Sequence, residues 1–139
     1  MPAVDGACGE GRRRIVSRSM RRLGLGRFSS AGLMLSGLMG VVSPEKFADA
    51  LKLKPETPRG LTETRAGLGG GYAALGAWAL VVDSRAARAA VGVTWLGAGT
   101  ARVFGMQQDQ PEPDAVFWLS LAMEFGLGLA SLASAAKRG

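Results

Sequence analysis

The sequence predicts an all-α fold: an antiparallel up-down bundle of four transmembrane helices, with a short interfacial helix after the first span. Three observations lead there. Four long stretches carry little or no charge and are separated by short polar segments. The chain is 47% apolar but only 6% aromatic, with 21 glycines in 139 residues, so alanine, glycine and leucine supply most of its apolar surface. Bilayer helices can pack closely on such small side chains. The third observation is that basic residues alternate along the chain between rich and poor segments, as cytoplasmic and exterior loops do. With 139 residues there is room for one domain and no second core.

Residues 1–27 form a basic leader. Arg12, Arg13, Arg14, Arg18, Arg21, Arg22 and Arg27 are seven of the 17 basic residues, and the rest of the chain has ten basic against nine acidic. Mixed Gly, Ser and Arg without apolar periodicity read as disordered or loosely membrane-attached. The net charge of +6 raises nucleic acid as a partner. A basic tail directly before an apolar run fits an anionic membrane face better. Met20, just before Arg21-Arg22, is a candidate start of translation. Arg12-Arg13 resembles a twin-arginine export signal, yet no small-x-small cleavage site follows Val42, so the first helix reads as retained.

Residues 28–139 form the membrane domain, with spans at about 28–43, 66–82, 89–106 and 115–136. The first, Phe28 to Ser43, is 16 uncharged residues, roughly 24 Å of helix, and stops at Pro44. After it, Phe47, Ala50 and Leu51 fall on one helical face with Leu53 beside them, which predicts the interfacial helix. Pro55 and Pro58 break the chain. The second span lies between Arg65 and Asp83, and Asp83 to Arg88 make a turn. The third contains one charge, Arg102, and ends at the acidic loop Gln107 to Asp114. The fourth also contains one, Glu124, and closes on Lys137-Arg138.

With the N-terminus inside, eleven basic residues face the cytoplasm and five face out, in agreement with the positive-inside rule. Small residues four apart predict the packing stripes: Gly32, Ser36 and Gly40; Gly69, Ala73 and Ala77; Gly97, Ala101 and Gly105; Gly126, Ala130 and Ser134. Trp78, Phe104, Phe117 and Trp118 fall near span ends, where interfacial aromatics gather.

Histidine is absent and Cys8 is the single cysteine, so Ser-His and Cys-His catalysis, intramolecular disulfides and Cys- or His-based zinc sites are excluded. Gly69-x-Gly71-x-x-Ala74 resembles part of a dinucleotide fingerprint, but it lacks the preceding strand that motif requires and reads as helix packing. No cofactor or metal is expected. The intramembrane charges are more informative. An ionised group at mid-span costs about 2.5 to 3.5 kcal/mol, which favours pairing. Arg102 and Glu124 are on neighbouring antiparallel spans and within reach of each other, so they are expected to pair, either to hold helix register or to form a ligand or proton site. Glu63 and Arg65 are expected at the outer mouth of the second span, Glu63 near a helix N-terminus, where a carboxylate suits the macrodipole.

Glu63-Thr64-Arg65-Ala66 followed by Gly69-Gly70 resembles the Glu-x-Arg-Ala-x-x-Gly-Gly signature of small bacterial four-helix membrane proteins labelled domain of unknown function 4345. Pro44-x-x-Phe47, Arg102, the acidic proline loop and Glu124 are similar to that family as well. Leu68 stands where the resemblance implies an aromatic residue, and Gln110 where it implies glycine. The resemblance implies a four-helix membrane fold, names no activity, and singles out Glu63, Arg65, Arg102 and Glu124 as a ligand-binding or structural polar core.

The expected function is that of a structural or accessory multi-pass protein of the inner membrane with both termini cytoplasmic. Its partners would be the lipid bilayer and another membrane protein or a second copy of the chain. The first alternative is a carrier or binding protein for a small apolar ligand, quinone or proton. The second is a soluble helical bundle that binds an acidic partner. Enzymatic chemistry is disfavoured, because only carboxylate, guanidinium and Tyr72 groups are available.

Overall fold

The computed structural model describes the backbone of residues 5–136 and the side chains of residues 24–136. Among these residues all regular structure is helical and there is no strand. Helix α1 runs Asp5–Val42, α2 Pro44–Ala50 and α3 Pro58–Glu63. A π-helical segment, Thr64–Gly70, leads directly into α4 (Gly71–Val82). Helices α5 (Arg85–Asp109) and α6 (Ala115–Ala135) complete the chain.

The boundaries have local causes. Pro44 and Pro58 occupy first-turn positions of α2 and α3, where a missing N–H costs nothing. Thr57, Ser84 and Asp114 cap α3, α5 and α6 by accepting the backbone N–H of Gly60 (3.1 Å), Ala87 (3.1 Å) and Phe117 (2.9 Å). Helices α4 and α5 end on left-handed residues, Asp83 and Gln110, each at φ 44°.

Several expectations change. The leader, read as irregular, is helical from Asp5. Arginine is a good helix former, and no proline separates Pro2 from Pro44. The leader's side chains through Arg22, with Cys8 and Met20, and the terminal Lys137-Arg138 pair lie outside the described residues. Among the described residues two helices are long and apolar enough to cross a membrane, Gly24–Val42 with 19 residues and Ala115–Ala135 with 21. The segment expected as the second span is divided into seven residues of π-helix and twelve of α-helix. The third belongs to a helix of 25 residues in which Arg85, Arg88 and Arg102 lower the apolar character. The turn before it is only Asp83-Ser84, so Arg88 is inside α5 and not in a loop. In α2 the inward face is Pro44, Phe47 and Ala48, while Ala50 is exposed.

Helix α1 packs along α4 and the π segment on one side and along α6 on the other, while α5 pairs most extensively with α6. The α1–α4 contact is made backbone to backbone. A Cβ on Gly69 would stand 2.8 Å from the Gly40 carbonyl carbon and the Val41 nitrogen, and one on Gly76 would stand 2.7 Å from Met34 Cα. Gly37 is likewise closed off by Gly69, Tyr72 and Ala73. Between α5 and α6 the small residues are Gly92 and Gly128. The stripes expected through Gly97 and Gly126 are displaced, since neither of those glycines has a neighbour within 4 Å of an added Cβ.

The interior is small and partly polar. Leu33, Ala79, Ala87, Val91 and Trp95 form its apolar cluster, and Ser29, Ser30, Ser131, Ser134, Arg88 and Glu124 are buried as well. Serine hydroxyls tie helices together: Ser29 Oγ donates to Leu127 O at 3.0 Å and Ser131 Oγ to Arg88 O at 2.7 Å. Many bulky apolar side chains are outside, with Phe28 68%, Val93 63%, Phe104 61% and Leu119 62% exposed.

Candidate functional site

Arg102 projects from the C-terminal half of α5 and Glu124 from the middle of α6. Because these helices run antiparallel, the Arg side chain spans the offset between the two positions. Arg102 Nε donates to Glu124 Oε2 at 3.0 Å and Nη2 to Oε1 at 2.8 Å. Two parallel charge-assisted bonds fix both planes. Gly99, one turn before Arg102, leaves room for the carboxylate, since a Cβ there would lie 3.3 Å from Glu124 Cβ. The guanidinium carbon also lies 5.3 Å from the Phe117 ring centre, a cation–π distance. Glu124 is only 6% exposed, so its charge relies on Arg102 and not on solvent.

The pair lines a cleft of about 370 Å³ to which α1, α4, α5 and α6 all contribute. Its walls are mostly apolar: Phe47, Leu51 and Leu53 from α2 and the residues after it, Leu68 and Tyr72 from the π segment and α4, Trp95 and Ala98 from α5, and Met123 from α6. Ser36 and Ser120 add hydroxyls. The Tyr72 and Trp95 rings meet at 6.5 Å with a 53° tilt. The π segment contributes to this wall, as π-turns often do at functional positions. Beside Arg102 a second, more polar recess of about 650 Å³ is lined by Lys52, Asp109, Glu112 and Asp114 together with apolar residues such as Leu53 and Val116. Lys52 and Asp114, both in its lining, approach to 4.0 Å.

The other two residues singled out by sequence do not join this pair. Glu63 closes α3, one and a half turns inside a helix that begins at Pro58, so the expected N-terminal dipole role does not apply. Its nearest cation is Arg59 at 3.8 Å, and both side chains are exposed. Arg65 reaches back to α1, where its Nη1 donates to the carbonyl of Val41 in the last turn. Gly69 of the same signature gives α1 its close approach. In this chain the signature therefore ties α1 to the π segment.

Sequence reading missed a second polar cluster at the opposite end of the bundle. Arg88 is buried at 7% exposure and donates to Asp83 Oδ1 (2.8 Å) and Asp83 O (2.9 Å). Arg27 of α1 meets the other Asp83 oxygen at 3.1 Å, and Arg85 Nε donates to Ala135 O at 3.0 Å. The left-handed Asp83 turns its carboxylate back over α5, and only its position immediately after the apolar run hinted at such a cap.

A family model described as a domain of unknown function (DUF4345) matches residues 23–134, which include α1 from Leu23 and every later helix. No curated protein and no solved structure matches the chain.

Proposed function

The chain belongs to the DUF4345 family, and from that footing we propose that it is a four-span integral membrane protein with a structural or accessory role. Helices α1, α4 with its π segment, α5 and α6 would be the spans, with residues 1–27 as a basic cytoplasmic leader and α2 at the exterior interface. The observation that carries this reading is the inverted distribution of side chains. Serines, an arginine and a glutamate are buried, while Phe28, Val93, Phe104 and Leu119 face outward from three different helices. In water such a surface would be a large unpartnered apolar patch. In lipid it needs no further partner, and the polar groups need the interior they occupy.

Within this reading the Arg102–Glu124 pair is a strut between α5 and α6, and the Arg27–Asp83–Arg88 cluster holds the opposite end. Both termini would be cytoplasmic, placing the arginine cluster on the inner side and the acidic loop outside. Alkaline carbonate washing of membranes tests the proposal. The chain should stay with the pellet and be released by detergent; recovery in the soluble fraction without detergent would contradict it. The cleft beside Arg102 favours a second reading, a ligand-binding membrane protein, in which the same pair forms part of a site.

A further inference from the structure

We propose that the cleft is a binding site for a neutral, ring-bearing amphiphile whose polar end accepts a hydrogen bond, as the carbonyl of a benzoquinone head does. This rests on the membrane reading and adds a ligand class to it.

The charge state of the site selects a neutral ligand. Arg102 and Glu124 cancel each other through two hydrogen bonds. A carboxylate ligand would either take Arg102 from Glu124 and leave that buried acid unpaired, or share the guanidinium with it and leave one negative charge uncompensated, and both are costly for ions in an apolar interior. A cation would have to take Glu124 from Arg102 in the same way. A carbonyl oxygen competes with neither. A guanidinium has five N–H donors, and among the described residues Arg102 places only Nε and Nη2 on a partner. The sealed side-chain nitrogen without a partner among those residues is Arg88 Nε, so the remaining donors of Arg102 are not closed off by protein.

The shape selects a ring with an apolar extension. Tyr72, Trp95 and Phe47 give the cleft aromatic faces, and its volume of about 370 Å³ is within the range that accepts a small organic ligand. Arg102 and Ser120 line both this cleft and the adjoining, more polar recess that Lys52, Asp109, Glu112 and Asp114 also line. A head at Arg102 therefore meets the polar side while the body lies among Leu51, Leu68 and Met123.

Trp95 lines the cleft, whereas Trp78 and Trp118 are about half exposed on the outer surface. The test uses the full chain in detergent with Trp78→Phe and Trp118→Phe, so that Trp95 alone reports. A decyl-substituted benzoquinone should quench it saturably, and laurate, an anionic amphiphile, should neither quench nor displace the quinone. Ala98→Phe and, from the facing helix, Ser120→Phe each fill the cleft and should weaken quinone binding at least ten-fold. Circular dichroism and carbonate extraction on the same samples read folding and insertion separately, so loss of the membrane reading is seen independently of loss of the site. Non-saturable quenching overturns the proposal, as do displacement by laurate and unchanged binding in both folded cleft-filling variants.

Discussion

At the scale of single residues, Arg102 and Glu124 behave as one unit with unequal halves. Glu124 has 8% of its side chain exposed and Arg102 24%. The arginine has a long stem that can carry its charge outward if the acid is removed, whereas the glutamate has no such escape. Arg102→Leu should therefore be the more damaging single change, up to about 3 to 5 kcal/mol, and Glu124→Leu the milder one. The double change to leucine should fall close to the parent. Thermal unfolding in detergent checks this, and singles as mild as the double would remove the strut. Gln110 gives a second prediction. Its φ of 44° is left-handed, a conformation that costs a non-glycine residue about 1 to 2 kcal/mol. Gln110→Gly should stabilise by about 1 kcal/mol, while Gln110→Ala should not. Unfolding of the three proteins under one condition decides it. Asp83 is left-handed too, but its carboxylate holds Arg88 and Arg27, so Asp83→Gly should trade relief of strain for two lost partners and show a net loss.

At the scale of helices, the glycines divide into those that touch backbone and those that face nothing. Gly37, Gly69 and Gly76 are pressed against the neighbouring helix, and Gly97 and Gly126 are open. Alanine at any of the first three should weaken the α1–α4 contact, by about 1 to 3 kcal/mol each as overpacked sites do. Alanine at Gly97 or Gly126 should be neutral or stabilise by up to about 1 kcal/mol through helix propensity. A set of five unfolding curves separates the groups, and equal effects would contradict the packing described. This division marks the limit of what the sequence reveals. Apolar runs bounded by Arg65, Asp83, Arg88 and Asp114 show where helices lie, and charged residues on adjacent helices show that Arg102 can meet Glu124. In a chain with 21 glycines, several four-residue stripes fit each helix equally well, and only the docked neighbour selects Gly92 over Gly97. The π segment is equally hidden. So is the burial of Arg88, because a basic residue four positions after Ser84 looks the same in a turn as in a first helical turn.

At the scale of the whole molecule, the proposed four-span arrangement rests on where charge and apolar surface are distributed. The acidic, proline-containing loop at residues 110–114 and the Arg27–Asp83–Arg88 cluster occupy opposite ends of the bundle. Between them the outward side chains are apolar and the inward ones include the polar groups. A soluble bundle would reverse that order, because bulky apolar residues are what burial in water favours most. The most direct measurement of this account is accessibility of single cysteines to a membrane-impermeant maleimide in intact spheroplasts. Cys8→Ser removes the one native thiol. In that background Glu112→Cys, in the acidic loop, should label without lysis, and Ala86→Cys, at the start of α5, should label only after it. Labelling of Ala86→Cys in intact spheroplasts, or protection of Glu112→Cys until lysis, would contradict the four-span arrangement.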